Sequence, residues 1–212
     1  MQQCPICSFP CRSVRLSPGG GRFQIDCFRC GEYAIGTTAN TLIEGKEFTA
    51  IQVANLSGYI RQNPGFVVRQ PDLERLGDLQ TPSVDEKAAN LLIGLGNKFP
   101  QPGWFISIDC GRLSTDLSLT ESVRAGDGDY PNDSFTDAAR EASKWMSIAS
   151  AGSPDQLRYL LKDFLEAQGF LVEKRAAIFV ITPQGWQHIA DLRRTQSKST
   201  KAFIANVVRP RA

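Results

Sequence analysis

Two Cys-x-x-Cys pairs stand within the first thirty residues of this chain: Cys4-Pro5-Ile6-Cys7 and Cys27-Phe28-Arg29-Cys30, with nineteen residues between them. Four thiolates carried on two such turns fall at the corners of a tetrahedron, a ligand set that suits Zn²⁺. A site of this kind is closed, with no position for a substrate water, so its work is to fold a small module. The expectation is a structural zinc ribbon with one Zn²⁺ per chain, held by Cys4, Cys7, Cys27 and Cys30. A redox dithiol or a different metal is the alternative. Cys11 competes with Cys7 as a ligand, but the C-x-x-C geometry favours Cys7.

The surrounding residues agree with a ribbon. Gly31 follows Cys30 and can take the left-handed turn that points backbone N–H groups at sulfur. Ser8 holds the matching place after Cys7 and suits it less well. Phe23-Gln24-Ile25-Asp26 alternates apolar and polar as a strand does, Gly19-Gly20-Gly21 offers a reversal before it, and Tyr33-Ala34-Ile35 can return. Cys110 has no cysteine neighbour and reads as a buried free thiol.

The rest of the chain is ordinary for a folded protein: 212 residues, 42% hydrophobic, 22% charged, net charge +2. No run of apolar residues is long enough to span a bilayer, and cysteines arranged for a metal fit a reducing cytoplasm. Charge is unevenly spread. Residues 81–150 carry six Lys or Arg against ten Asp or Glu, whereas 151–212 carry ten against five.

The element order follows from periodicity and breakers. Phe48 to Gln62 has helical spacing and stops at Asn63-Pro64-Gly65. Phe66-Val67-Val68 reads as a short strand and Leu73 to Leu76 as a helical turn. Asp85 to Asn97 begins acidic and is apolar along one side. Trp104 to Ile108 reads as a strand, 109–132 as a polar insertion, and Asp133 to Ile148 as a helix. Ser153-Pro154 opens a helix that Gly169 closes. Phe170 to Lys174 and Ala177 to Ile181 form a hairpin, and Thr182 caps a last helix from Pro183 to Arg194. The predicted fold class is α+β: a zinc ribbon (1–35), a helical connector (36–82), and a winged-helix domain (83–195). A tail follows (196–212). The stretch "LLKDFLEAQGFLVEK…FVITPQGW" resembles many winged-helix modules, in which a helix ends in Gly, a wing follows, and Thr-Pro-x-Gly opens the next helix.

The helix in the recognition position exposes Asp155, Asp163 and Glu166 against Arg158 and Lys162, a poor match for phosphate. Lys174 and Arg175 at the wing tip, with Arg193 and Arg194 on the last helix, are the candidate nucleic-acid contacts. Their competing reading is a solvated basic surface. His188 is the sole histidine and reads as a packing residue, so no catalytic arrangement can be built on it. Gly94-Leu95-Gly96 lacks the lysine of a phosphate loop. Asp127, Asp129 and Asp133 fail as a calcium loop, because Pro131 takes a ligand position. The three tryptophans read as core.

In order, the paired cysteines, "LSGYIRQ", "PSVDEKAANLL", "LRYLLKDFLEAQGFL", "ITPQGWQHIADLRR" and "STKAFIANVV" resemble the N-terminal region of a bacterial protein family. Its members join a zinc ribbon and winged helix to a nucleoside 2-deoxyribosyltransferase-like or TIR-like domain. The join there is typically Ser-x-x-Ala-Phe-Val-Ala-Met, the first strand of that domain, and it stands here as Ser199 to Asn206. The sequence reaches only to Ala212, so the domain that does the chemistry is not in it and no catalytic residue carries over. The resemblance implies a non-catalytic, cytoplasmic sensor or adaptor region. It would bind a protein partner or regulate a nucleotide-processing effector domain, one cleaving glycosidic bonds of nucleosides or NAD, in bacterial defence signalling. A DNA-binding winged-helix regulator is the second reading.

Overall fold

A computed structural model describes residues 3–17, 19–46, 48–116 and 136–207 of the chain, with 196–207 as backbone alone. The first elements are three antiparallel strands: β1 (Cys11–Leu16), β2 (Arg22–Cys27) and β3 (Gly31–Gly36). In β2 the alternation puts Ile25 and Cys27 inside and Gln24 outside. Cys11 faces Cys27 across one ladder and Gly31 faces Cys27 across the other, so the register brings the cysteines to one end of the sheet.

Helices α1 (Thr37–Glu44) and α2 (Ala50–Gln62) follow. Thr49 starts α2 with a reciprocal cap: its Oγ1 accepts from Gln52 N at 3.2 Å, and Gln52 Oε1 accepts from Thr49 N at 3.0 Å. The chain then returns as β4 (Val67–Val68), parallel to β3, giving a sheet of order β1-β2-β3-β4. A short helix α3 (Asp72–Gly77) completes this part.

The second part starts with α4 (Val84–Lys98), capped by a Ser83–Glu86 box and burying Leu91, Leu92 and Leu95. Next come β5 (Ile106–Ser107), a helix α5 at 110–116, α6 (Asp137–Ile148) and α7 (Pro154–Tyr159). The last of these widens into a π-type turn over Leu160–Glu166. The hairpin β6 (Leu171–Arg175) and β7 (Ile178–Ile181) leads into α8 (Pro183–Val207). The three strands form a sheet of order β5-β7-β6. Gly169, at φ +74°, closes the α7 segment as expected: Phe170 N donates to Leu165 O and Gly169 N to Glu166 O.

One buried core runs through both parts, from Ile25 and Ile35 through Leu56 and Ile60 to Leu91, Trp145 and Phe179. Gly58 permits the contact of α2 with α6. A Cβ there would lie 2.9 Å from Ser147 O and collide with Ser150 Oγ. No helix among the described residues is long and apolar enough to cross a membrane.

Three sequence expectations are corrected. The polar insertion at 109–132 opens instead with α5, because Asp109 Oδ1 accepts from Arg112 N at 2.8 Å and Leu113 is fully buried. Asp127, Asp129 and Asp133 lie outside the described residues. The strand at 104–108 is only two residues long, so Trp104, expected in the core, stands exposed beside Phe105 ahead of it. The last helix does not stop at Arg194. It continues to Val207, through the residues expected to form a strand (199–206). No glycine or proline interrupts 186–208, and an isolated strand there would leave its N–H and C=O groups unpaired, whereas a helix satisfies them internally.

Candidate metal centre

The four sulfurs of Cys4, Cys7, Cys27 and Cys30 all lie within 4.8 Å of one another, and all four residues are buried. None of the six cysteines is in a disulfide. Each short approach joins one pair to the other: Cys4 Sγ lies 3.9 Å from Cys30 Sγ, and Cys7 Sγ lies 3.5 Å from Cys27 Sγ. The two turns therefore face each other across a space for one ion. This is a buried, four-thiol set able to hold a metal.

Both turns are built alike. Gly31, after the second pair, has φ +85°, and Ser8, after the first, has φ +59°. A serine thus takes the left-handed position that the sequence makes awkward for it, and Ser8 N donates to Cys4 O at 2.9 Å. In the second turn Cys30 N donates to Cys27 Sγ at 3.4 Å, the backbone-to-sulfur bond anticipated there. Cys11 is buried beside the set, with its Sγ 4.0 Å from Phe9 O, and the four sulfurs that all lie close to one another are those of the C-x-x-C pairs.

Burial pushes the thiols of Cys7, Cys27 and Cys30 well above their usual ionisation range. Burial acts on Cys4 in the same direction, yet hydrogen bonds from Cys11, Cys27, Cys30 and Cys7 bring it well below. A divalent cation is what would allow all four sulfurs to be thiolates in this volume.

A second layer comes from residues that no spacing rule identifies. Tyr33 Oη lies 3.1 Å from Cys4 Sγ, and burial, followed by the charge of Cys4 and Cys30, pushes its ionisation well up, so it stays a donor. Ser57 Oγ lies 3.4 Å from Cys30 Sγ. Arg61, at the end of α2, donates from Nε to Arg29 O at 2.6 Å and from Nη2 to Phe28 O at 2.7 Å. It thus grips the second turn by its carbonyls. Burial lowers its ionisation, and the charges of Cys30, Cys27 and Cys7 oppose that shift. Arg29, only 4% exposed, donates from Nη2 to Ala151 O at 3.0 Å, just past α6.

The other sequence candidates are placed as follows. Lys174 and Arg175 are exposed at the β6–β7 tip. Arg193 donates to Asn97 Oδ1 on α4, and Arg194 pairs with Asp191 at 3.0 Å. On α7, Arg158 pairs with Asp155, and Lys162 pairs with Glu173 of the hairpin. His188 stacks on Phe170, with ring centroids 4.3 Å apart and planes at 6°. Cys110 is a buried free thiol whose ionisation is raised to about 11, chiefly by burial. No protein-family model matches this chain, and no curated protein and no solved structure matches it either.

Proposed function

We propose that this chain is a non-catalytic regulatory module: a structural zinc ribbon fused to a winged helix, which binds a partner or holds and regulates an effector domain. The observation that carries the reading is the cluster of four buried cysteines, locked on its outer side by Arg61 and Arg29. Zinc is the ion that best suits four thiolates. Zn–S bonds of about 2.3 Å set tetrahedral edges at about 3.8 Å, close to the 3.9 Å and 3.5 Å separations here. With four protein ligands no coordination position is left for chemistry, so the ion's work is to hold the ribbon.

The winged-helix reading is supported by the succession α4, β5, α5–α6, α7, β6, β7 and α8, and by a sheet in which the strand before the helices pairs with the last strand of the hairpin. On this reading α7 is the recognition helix. Its two cations are engaged with carboxylates, which favours a protein partner over a phosphate backbone. The sequence resemblance suggests that the effector is a nucleotide-processing domain in bacterial defence signalling.

The test has two arms. Purified gently, the chain should carry one zinc. Cys27→Ser should lose it and unfold the ribbon, while circular dichroism shows the helices of the second part largely kept. In the second arm, duplex DNA should bind weakly or not at all. DNA affinity that falls steeply with salt, and vanishes on replacing Lys174, Arg175, Arg193 and Arg194 with Ala, would establish the DNA-regulator reading instead.

A further inference from the structure

Helices α2, α4 and α6 leave an open groove of about 890 Å³ on the side of the molecule next to the second cysteine turn. That size suits a small organic ligand rather than a single ion. Its sides are helical faces. From α4 come Asn90, Ile93, Gly94 and Asn97, spaced as one stripe, and Lys98 beside them; from α6 come Glu141, Lys144, Trp145 and Ile148. Arg61 and Gln62 close the end at α2.

The lining has three chemical zones. The floor is apolar: Ile93, Ile148 and the edge of Trp145, with Gly94 adding no side chain. One wall carries two carboxamides: Asn90, with a donor and an acceptor to offer, and Asn97, whose Oδ1 already accepts from Arg193 at 2.6 Å and whose N–H groups remain to donate. The other end carries Lys98, Lys144 and Arg61 against a single carboxylate, Glu141. Lys98 and Lys144 both pair with Glu141, so one positive charge there is left over before Arg61 is counted. A ligand that fits has a flat, hydrogen-bonding body for the floor and amides, and an anionic group for the cations.

We propose that this groove binds a small phosphate-bearing ligand of the nucleotide class. The phosphates lie among Lys144, Lys98 and Arg61, with the N–H groups of Asn97 beside them, and the base lies over Ile93 and Ile148 with its polar edge toward Asn90. Recognition of both halves is what distinguishes it from a general anion site. Arg61 also grips the second cysteine turn, so the ligand end of the groove is built on the ribbon. The inference rests on the groove alone: it stands or falls separately from the partner-binding reading.

The experiment is calorimetric titration of the full chain with ADP, adenosine and inorganic pyrophosphate in parallel. ADP should bind, more weakly as salt rises, and at least about tenfold more tightly than either half. Lys144→Gln should weaken ADP and pyrophosphate alike by about tenfold, as loss of one charge-assisted contact does. Asn90→Ala should weaken ADP and leave pyrophosphate unchanged, and Lys98→Gln repeats the Lys144 test should that variant not fold. No heat with ADP at millimolar concentration would overturn the proposal. So would pyrophosphate binding as well as ADP, or ADP binding that ignores all three substitutions.

Discussion

Arg61 Nε donates to the carbonyl oxygen of Arg29 at 2.6 Å, and the same Arg29 donates to Ala151 O at 3.0 Å. Two guanidinium groups thus tie the second cysteine turn to α2 on one side and to the chain after α6 on the other. Neither carbonyl that Arg61 takes belongs to a strand ladder, and without Arg61 both would lose that partner in a partly buried place. Arg61→Ala should therefore destabilise the protein by about 2–4 kcal/mol, from two charge-assisted bonds. Arg61→Lys should recover less than half, because an ammonium group cannot fork to both oxygens. Urea denaturation of the three proteins compares these values directly.

Gly58 sets how closely α2 lies on α6. A methyl group there meets Ser147 O at 2.9 Å and collides with Ser150 Oγ. Gly58→Ala should lower stability by about 1–3 kcal/mol, although alanine is the better helix former at an unhindered site. A thermal melt showing the opposite sign would mean that the two helices separate at no cost.

Glu141 sits between Lys98 and Lys144. Burial pushes its carboxyl up, but the hydrogen bonds from Lys144 and Lys98 outweigh that and hold it below the ordinary range. A carboxylate whose folded value is depressed contributes stability above its unfolded value, near 4.3, and loses it as pH falls through the folded value. Glu141→Gln should thus cost about 1 kcal/mol at pH 7, a modest figure because the pair is partly exposed. The difference from the native chain should shrink as pH falls below the unfolded value and through the depressed folded one. Denaturation midpoints followed from pH 7 into the acid range check the sign.

Cys110 should be nearly inert to alkylation in the folded protein. With its ionisation raised to about 11, the thiolate fraction at pH 8 is roughly a hundredfold below that of a free cysteine. Mass mapping after iodoacetamide treatment, native against unfolded, reads this at Cys110 without interference from the other five cysteines.

The four-cysteine cluster was legible in the sequence because its constraint is local: C-x-x-C turns fix their own geometry, and the four cysteines they name are the four whose sulfurs converge. The start of α7 was legible for the same reason, with Ser153 one residue before the helix and Pro154 at its first position; Thr49 and Ser83 hold the same place before α2 and α4, which apolar spacing and acidic residues located only to within two residues, at Phe48 and Asp85. What spacing could not give was tertiary. Tyr33, Ser57 and Arg61 reach the site across 27 to 33 positions, and Arg29 reaches from it to Ala151 across 122, yet each looks like an ordinary strand, helix or turn residue. The helix at 110–116 was hidden because its buried anchors are only Cys110, Leu113 and the polar Asp116, which is secured by accepting from Thr136 at 2.8 Å. The end of α8 was misjudged because a family-like strand motif at 199–206 outweighed a composition that suits a helix.

The central claim is that the two cysteine turns close on one zinc ion with four sulfur ligands. Elemental analysis combined with zinc-edge X-ray absorption on the gently purified chain tests it most directly. The account predicts one zinc per chain and a first shell of four sulfurs at about 2.3 Å. Absence of metal, or a shell containing nitrogen or oxygen ligands, would contradict it.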